Sequence, residues 1–265
     1  MPVVTLLSDL GTADISLSKA KALLQSQLPG IELADIVHRI EPYDIQQAAY
    51  LCLSSYKYFS PGTIHLLLVN VLYGDRPRML LAEKDGFFFI APDNGILSLA
   101  FGKTLDKIWL CSESNEDCTF FQWMSYIILV IKLMEEHKDE LHKHLSPFII
   151  SETPRLLPPK EVAGYVDCSV LYIDRYGNVL VNMTSTGFQE IARDRPFRIR
   201  LSREKEVTQI SYNYNDVALG APLCRFNSTG FLEIAVNHGS AAAEFELLPI
   251  LARNISYQAV TIAFL

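Results

Sequence analysis

The sequence predicts an α/β amino-terminal domain followed by a smaller all-β carboxy-terminal domain. Three observations carry that expectation. From residue 1 to about 150, short apolar runs alternate with amphipathic stretches, the pattern of strands and helices layered on one sheet. Pro147, Pro154, Pro158 and Pro159 then exclude a continuous helix. Beyond them, short extended runs are separated by turns at Gly177, Gly187, Gly220, Gly230 and Gly239, as in a small all-β domain. The expected boundaries are an α/β domain at 1–150, a proline-rich linker at 151–160 and a β domain at 161–265.

The elements follow in order. Val3 to Leu7 is a short apolar strand closed by Asp9. Gly11 turns the chain, and Asp14 and Ser16 precede an amphipathic stretch from 17 to 28. Further strands are expected at 33–37, 63–69, 79–83 and 86–90, and helices at 44–57 and 124–145. In an open α/β sheet, ligands sit at the carboxyl ends of the strands. A carboxylate there, such as Asp9, can accept both hydroxyls of a ribose, whereas Asp14 or Ser16 can equally serve as a helix N-cap. Tyr43 follows Pro42 at the start of a helix, and Asp93-Asn94-Gly95 reads as a tight turn.

In the second domain, residues 171–182 read Leu-Tyr-Ile-Asp-Arg-Tyr-Gly-Asn-Val-Leu-Val-Asn. A strand that ends on a carboxylate and turns through a glycine presents Asp174 and Asn178 at a sheet edge, with Tyr176 between them. The same letters are good hairpin chemistry. Residues 227–242 carry another strand, into Asn237 and His238. The small-residue turn after it leaves the backbone near Gly239 and Ala241 open to a flat ring.

Composition narrows the function classes. A chain of 265 residues with 49% hydrophobic and 20% charged residues buries a substantial core. A net charge of -7, with no basic stripe, argues against nucleic acid. The five cysteines are scattered without a C-x-x-C pair, which fits free thiols in a reducing cytoplasm and argues against zinc. No leader pattern opens the chain and no apolar run is long enough for a membrane span. His137, His142 and His144 lie among Glu and Lys on what reads as a solvated helix face. Neither G-x-G-x-x-G nor a Walker sequence occurs, so a nucleoside would be held by Asp and Asn side chains. No cofactor or metal is expected.

Six fragments in order make the chain similar to one family. They are S-D-L-G-T-A-D near the start, I-V-H-R-I-E-P-Y-D-I-Q-Q-A-A at 36–49, F-S-P-G-T-I-H-L-L-L-V at 59–69, A-P-D-N-G-I-L-S at 91–98, I-D-R-Y-G-N at 173–178 and N-x-x-G-x-L-E-I-A-V-N from Asn227. The chain resembles the S-adenosylmethionine hydroxide adenosyltransferases, relatives of the fluorinating and chlorinating 5′-deoxyadenosine synthases. The resemblance implies a carboxy-terminal β-barrel, a homotrimer, and an S-adenosylmethionine or adenosine site between subunits. It extends the ligand-binding set to Asp9, Asp14, Ser16, Tyr43, Tyr73, Asp174, Tyr176, Asn178, Ser228, Asn237, His238 and Ala241. Asp9 would take the ribose hydroxyls, Asp174 the methionine ammonium and Asn178 the adenine edge.

The catalytic set is where the chain departs. The hydrolytic family carries an Asp and an Arg in V-D-P-G-V-G-x-x-R and a His in T-F-H-G-R-D. Here Gly74 fixes the register, Asn70 stands for the Asp, Pro77 for the Arg and Phe121 for the His. The methionine leaving group is neutral and needs no acid, but water attacking the 5′ carbon needs activation, and Asn70 takes no proton at ordinary pH. Positions at or beside the set are Asn70, Arg78, Phe121 and Gln122. Gln122 also corresponds to the halide-binding serine of the halogenating relatives, but with Tyr73 it leaves a bare halide little room. The expected function is binding of S-adenosylmethionine or adenosine with weak or lost hydrolysis. The alternative is an active hydrolase with a substituted set drawn from Asn70, Tyr73, Arg76, Arg78 and Gln122. Halide-dependent adenosyl transfer and a ligand-free trimeric scaffold rank below these.

Overall fold

The computed structural model describes residues 3–113, 118–137, 140–150, 159–162, 164–247 and 259–265. The chain forms two compact units, Met1–Arg155 and Leu156–Leu265. The proline-rich stretch expected as a linker falls mostly outside the described residues.

The first unit runs β1 (Val3–Ser8), α1 (Ile15–Gln27), β2 (Glu32–Val37), α2 (Ile45–Ser55), β3 (Ile64–Leu68), β4 (Arg78–Lys84), β5 (Phe87–Pro92), α3 (Ile96–Phe101), β6 (Lys107–Glu113), α4 (Phe120–His137), α5 (Leu141–His144) and β7 (Ser146–Pro147). The sheet order is β2-β1-β3-β5-β4-β6-β7. β1 is parallel to β2 and β3, β3 is parallel to β5, and β4 is antiparallel to β5 and β6. The parallel strands are covered on both faces, so β3 reads Ile-His-Leu-Leu-Leu and is buried throughout. One face packs Leu6, Leu24, Leu66, Trp123 and Ile131; the other packs Leu7, Ala49, Leu67, Phe89 and Phe101.

Four parallel strands therefore share one carboxyl edge. His38 follows β2, Asp9 follows β1, Asn70 follows β3, and Asp93 and Asn94 follow β5. The five expected strands form here. The single helix expected at 124–145 is instead α4 and α5, and α3, β6 and β7 add to the expected list.

The second unit holds β8 (Lys160–Val162), β9 (Tyr165–Ile173), β10 (Val179–Thr184), α6 (Ser185–Ala192), β11 (Phe197–Arg200), β12 (Glu206–Val207), β13 (Pro222–Phe226), β14 (Phe231–Val236), α7 (Ala241–Glu244) and β15 (Ala259–Phe264). The order β12-β11-β15-β9-β10-β14-β13, with β8 on β9, curls into a nearly closed barrel. An isolated bridge between Ile210 and Cys224 brings the two ends of that order together. Cys168, Val181, Ile199, Ile234 and Ile262 fill the interior. Gly187, expected as a turn, lies inside α6. The Thr184 side chain caps that helix by accepting from the Gly187 N–H at 3.1 Å, so the glycine is a first-turn residue.

Candidate functional site

At the shared carboxyl edge, Asp9 organises the backbone around it. Its Oδ2 accepts the N–H groups of Tyr43 and Asn70, each at 3.1 Å. Both donors have left-handed backbones, with φ of 69° at Tyr43 and 47° at Asn70. Asn tolerates that region, whereas a bulky aromatic there is an outlier that its surroundings must hold in place. Among the described residues none donates to Asp9 Oδ1. Asp9 is thus half committed to the fold and half available to a hydroxyl donor. Asn94 ties the next loop down, donating from Nδ2 to Val69 O at 2.9 Å and accepting from Ile96 N–H at 3.1 Å.

Asp14 and Ser16 take the capping role. Asp14 is the N-cap of α1, and its Oδ1 accepts the Ser16 N–H at 2.5 Å. Hydrogen bonding from Ser16 holds the Asp14 carboxyl below the usual carboxylate range. Gln122 is similarly spent. Its Oε1 accepts the Thr119 N–H at 2.7 Å while Thr119 Oγ1 accepts the Gln122 N–H at 3.3 Å, a capping box that starts α4. Thr119-Phe120-Phe121-Gln122 has the T-x-x-Q spacing of that box, a signal present in the sequence.

The substituted positions are now placed. Asn70 sits at the end of β3 beside Asp9. Pro77 is buried. Phe121 packs edge-on against Phe120, with Lys19 Nζ 5.8 Å from its ring centroid. Arg78 pairs with Asp93 at 2.5 Å, and its guanidinium lies 5.3 Å from the Phe148 ring centroid. Tyr73, Asp75, Arg76, Arg78, Asp93 and Glu113 line a cleft of about 270 Å³.

Two buried histidines on this sheet went unread in the sequence. His38 Nδ1 meets Ser8 Oγ at 2.8 Å, and its Nε2 lies 3.1 Å from Asp35 Oδ1. That second contact is close enough for charge pairing but is not aligned as a hydrogen bond. Lys21 Nζ completes the row at 2.6 Å from Asp35 Oδ2. His65 Nδ1 meets Thr5 Oγ1 at 2.7 Å, its register partner on β1. Its Nε2 is buried without a partner, and burial pushes its pKa down to about 4. Finding either pair requires strand pairing, which sequence letters alone do not supply.

In the barrel, the β9–β10 turn and the turn after β14 lie together. Asp174 Oδ1 accepts the N–H groups of Tyr176 at 2.8 Å and Asn178 at 3.0 Å, and its Oδ2 accepts Asn178 Nδ2 at 2.9 Å. Ala242 N–H donates to Gly177 O at 2.9 Å. A Cβ on Gly177 would fall 2.1 Å from Ser240 Oγ, so only glycine allows this approach. Asn237 donates from Nδ2 to Val217 O at 2.9 Å and anchors the segment before β13. Tyr176 and His238 are exposed, while Ala241 is buried. Ser228 is not brought to this group. It lies in the β13–β14 turn, at the other end of β14, where Asn227 Oδ1 holds the Thr229 and Phe231 amides.

Among the described residues, no three His, Cys, Asp or Glu side chains converge as a metal site. His137 and His144 stack at 4.5 Å between ring centroids.

The chain matches the model for the SAM hydroxide adenosyltransferase N-terminal domain over residues 4–131, and that for the C-terminal domain over 168–249. It is 27% identical over 257 residues to the (R)-S-adenosyl-L-methionine hydrolase of Thermus thermophilus, covering 91% of this chain and 94% of that protein. It is 22% identical over 284 residues to the fluorinase of an Actinoplanes species, covering 93% and 94%. Its fold is similar to that of an uncharacterized conserved protein from Thermotoga maritima, with TM-score 0.77, 23% identity and coverage of 98% and 99%. With the strand-end carboxylates of its α/β unit and the nearly closed barrel that follows, the chain belongs to the SAM hydroxide adenosyltransferase family.

Proposed function

We propose that this protein binds S-adenosylmethionine or adenosine and hydrolyses S-adenosylmethionine weakly or not at all. The observation that carries this reading is the division of labour at Asp9. One carboxylate oxygen fixes Tyr43 and Asn70, and the other is left for a ribose hydroxyl. The positions that would activate water hold an amide, a buried proline and a phenyl ring, and none of these can take a proton. Gln122 is engaged in capping α4 and is a poor halide ligand. The assembly proposed is a homotrimer in the cytoplasm. The five unpaired cysteines support a reducing compartment. Among the described residues no helix is long and apolar enough to cross a membrane.

A second reading draws on the cleft between Tyr73 and Asp93. Arg76 and Arg78 line it, and an Arg78 released from Asp93 could orient a nucleophile. One incubation separates the two. Purified protein is mixed with S-adenosylmethionine, and the mixture is chromatographed for adenosine and tested for bound ligand. Intact bound ligand supports the first reading, adenosine with methionine the second, and neither binding nor cleavage removes both. Light scattering tests the trimer, and a monomer refutes it.

A further inference from the structure

The row Ser8–His38–Asp35–Lys21 stands where β1 and β2 cease to pair through their backbones. Their last register pair is Leu7 with Val37. The register shifts between that pair and Leu6–Asp35, which leaves Ile36 without an opposite residue. Regular alternation would send Asp35 and His38 to opposite faces of the sheet, and one extra residue returns them to the same face. His38 Nε2 therefore lies 3.1 Å from Asp35 Oδ1, while its Nδ1 meets Ser8 Oγ at 2.8 Å. The carboxylate favours the ring proton on Nε2, so Nδ1 accepts and the Ser8 hydroxyl donates. Lys21, on α1, donates from Nζ to the other Asp35 oxygen at 2.6 Å.

Ser, His and Asp in a row resemble a nucleophilic triad, but this row is not one. Ser8 is 0% exposed and His38 5%, so the hydroxyl is closed to a substrate. The ring is also reversed, with Nδ1 and not Nε2 toward the serine. What the row holds is the end of β1. Asp9 follows Ser8 directly, and its own N–H reaches Leu68 O only at 3.4 Å. On the β2 side no register pair extends to Ser8, and the Ser8–His38 bond supplies the tie there. The aim of Asp9 Oδ1 is thus set by a side-chain bond one residue away.

The same strand carries a contrast. Thr5 Oγ1 meets His65 Nδ1 at 2.7 Å and is equally buried. Thr5 lies inside the ladder, however, with register partners Ala34 on β2 and His65 on β3. Losing its side-chain bond leaves the strand held on both sides.

We infer, resting on the nucleoside reading above, that Ser8 and His38 are positioning residues for Asp9, and that Asp35 and Lys21 keep His38 in the tautomer that accepts the Ser8 hydroxyl.

The test is calorimetry with adenosine, beside urea unfolding of each variant. Ser8→Ala should weaken adenosine binding by about threefold to tenfold, the worth of an ordinary hydrogen bond. Ser8→Thr keeps the hydroxyl and should bind adenosine as the wild type does. Thr5→Val removes a hydroxyl–imidazole bond of the same kind; it should lower stability as Ser8→Ala does but leave adenosine affinity unchanged. Equal losses of affinity in Ser8→Ala and Thr5→Val would mark a general loosening of the sheet and overturn the inference. Unchanged affinity in Ser8→Ala would overturn it too, as would a Ser8→Thr that binds as weakly as Ser8→Ala. If Ser8→Ala does not fold, the wild type decides: long-range ¹H–¹⁵N spectra should place the His38 ring proton on Nε2, and a proton on Nδ1 overturns the inference. Wild-type protein that binds no adenosine would instead overturn the nucleoside reading itself.

Discussion

Asp9 and Asp174 both close a strand and precede a glycine turn, yet the fold uses them differently. Asp9 spends one oxygen on two backbone amides and keeps the other. Asp174 engages both oxygens within its own turn, with two amides on Oδ1 and the Asn178 side chain on Oδ2. A carboxylate has about four acceptor positions. Recognition depends on how many remain after the backbone is served, and that count follows from loop geometry. Asp9 is a receptor that also holds a loop; Asp174 is a turn residue with a small remaining capacity.

The largest expected effect comes from restoring the three substituted residue types, of which Asn70 lies beside Asp9. Asn70→Asp, Pro77→Arg and Phe121→His combined should raise adenosine release by about two orders of magnitude or more, the range of a general base. Single changes should do little, because residues that act as a unit are strongly non-additive. Chromatography at neutral pH reads the outcome. A flat result in a well-folded triple variant would mean that the amino-terminal edge no longer holds substrate as its relatives do.

Acid separates the two units next. His65 is in the first unit, at 0% exposure. Its folded pKa of about 4 lies below the ordinary value near 6.5. Between those values the unfolded chain binds the extra proton and the folded chain does not, so stability falls as pH drops. The loss should approach about 3 kcal/mol by the lower end of the window. Urea unfolding at pH 7 and pH 4.5 should show it, and His65→Phe should flatten the slope. An unchanged slope in that variant would assign acid sensitivity elsewhere.

The comparison itself is sharpened by one substitution at each carboxylate. Asp174→Ala removes the acceptor for three donors and should cost roughly 2–3 kcal/mol in unfolding free energy. Asp9→Asn keeps an oxygen for Tyr43 and Asn70 but turns an amide NH₂ toward the ribose. Adenosine should bind about tenfold more weakly, with stability nearly unchanged. If Asp9→Asn destabilised the fold as much as Asp174→Ala and left binding intact, the two roles would have to be exchanged.

Much of this was legible in the letters, and the gaps have physical causes. The expected strands β1, β3, β4 and β5 appear because strands covered on both faces read as continuous apolar runs, whichever way they pair. β6, Lys-Ile-Trp-Leu-Cys-Ser-Glu, lies toward the edge with only Trp109 buried, so its pattern is weak. Gly187 was misplaced because glycine in a first helical turn and glycine in a reverse turn look alike without the Thr184 cap. Asp9 was found from its position after a strand. The Ser8–His38 and Thr5–His65 pairs were not, since they depend on which strands are neighbours. Gln122 was read through its resemblance to a halide ligand, while its T-x-x-Q spacing already described a cap.

The cysteines make the molecule unequal toward an electrophile. Burial raises the thiols of Cys52, Cys111, Cys168 and Cys224, the last three to about 12, which keeps their reactive thiolate form scarce at neutral pH. Cys118 stands apart, partly exposed and directly before the capping box of α4. A thiol reagent should therefore modify that position first. A fluorophore placed there would sit three residues from Phe121, so ligand-induced change at that end of α4 could be followed by emission in an otherwise unmodified protein.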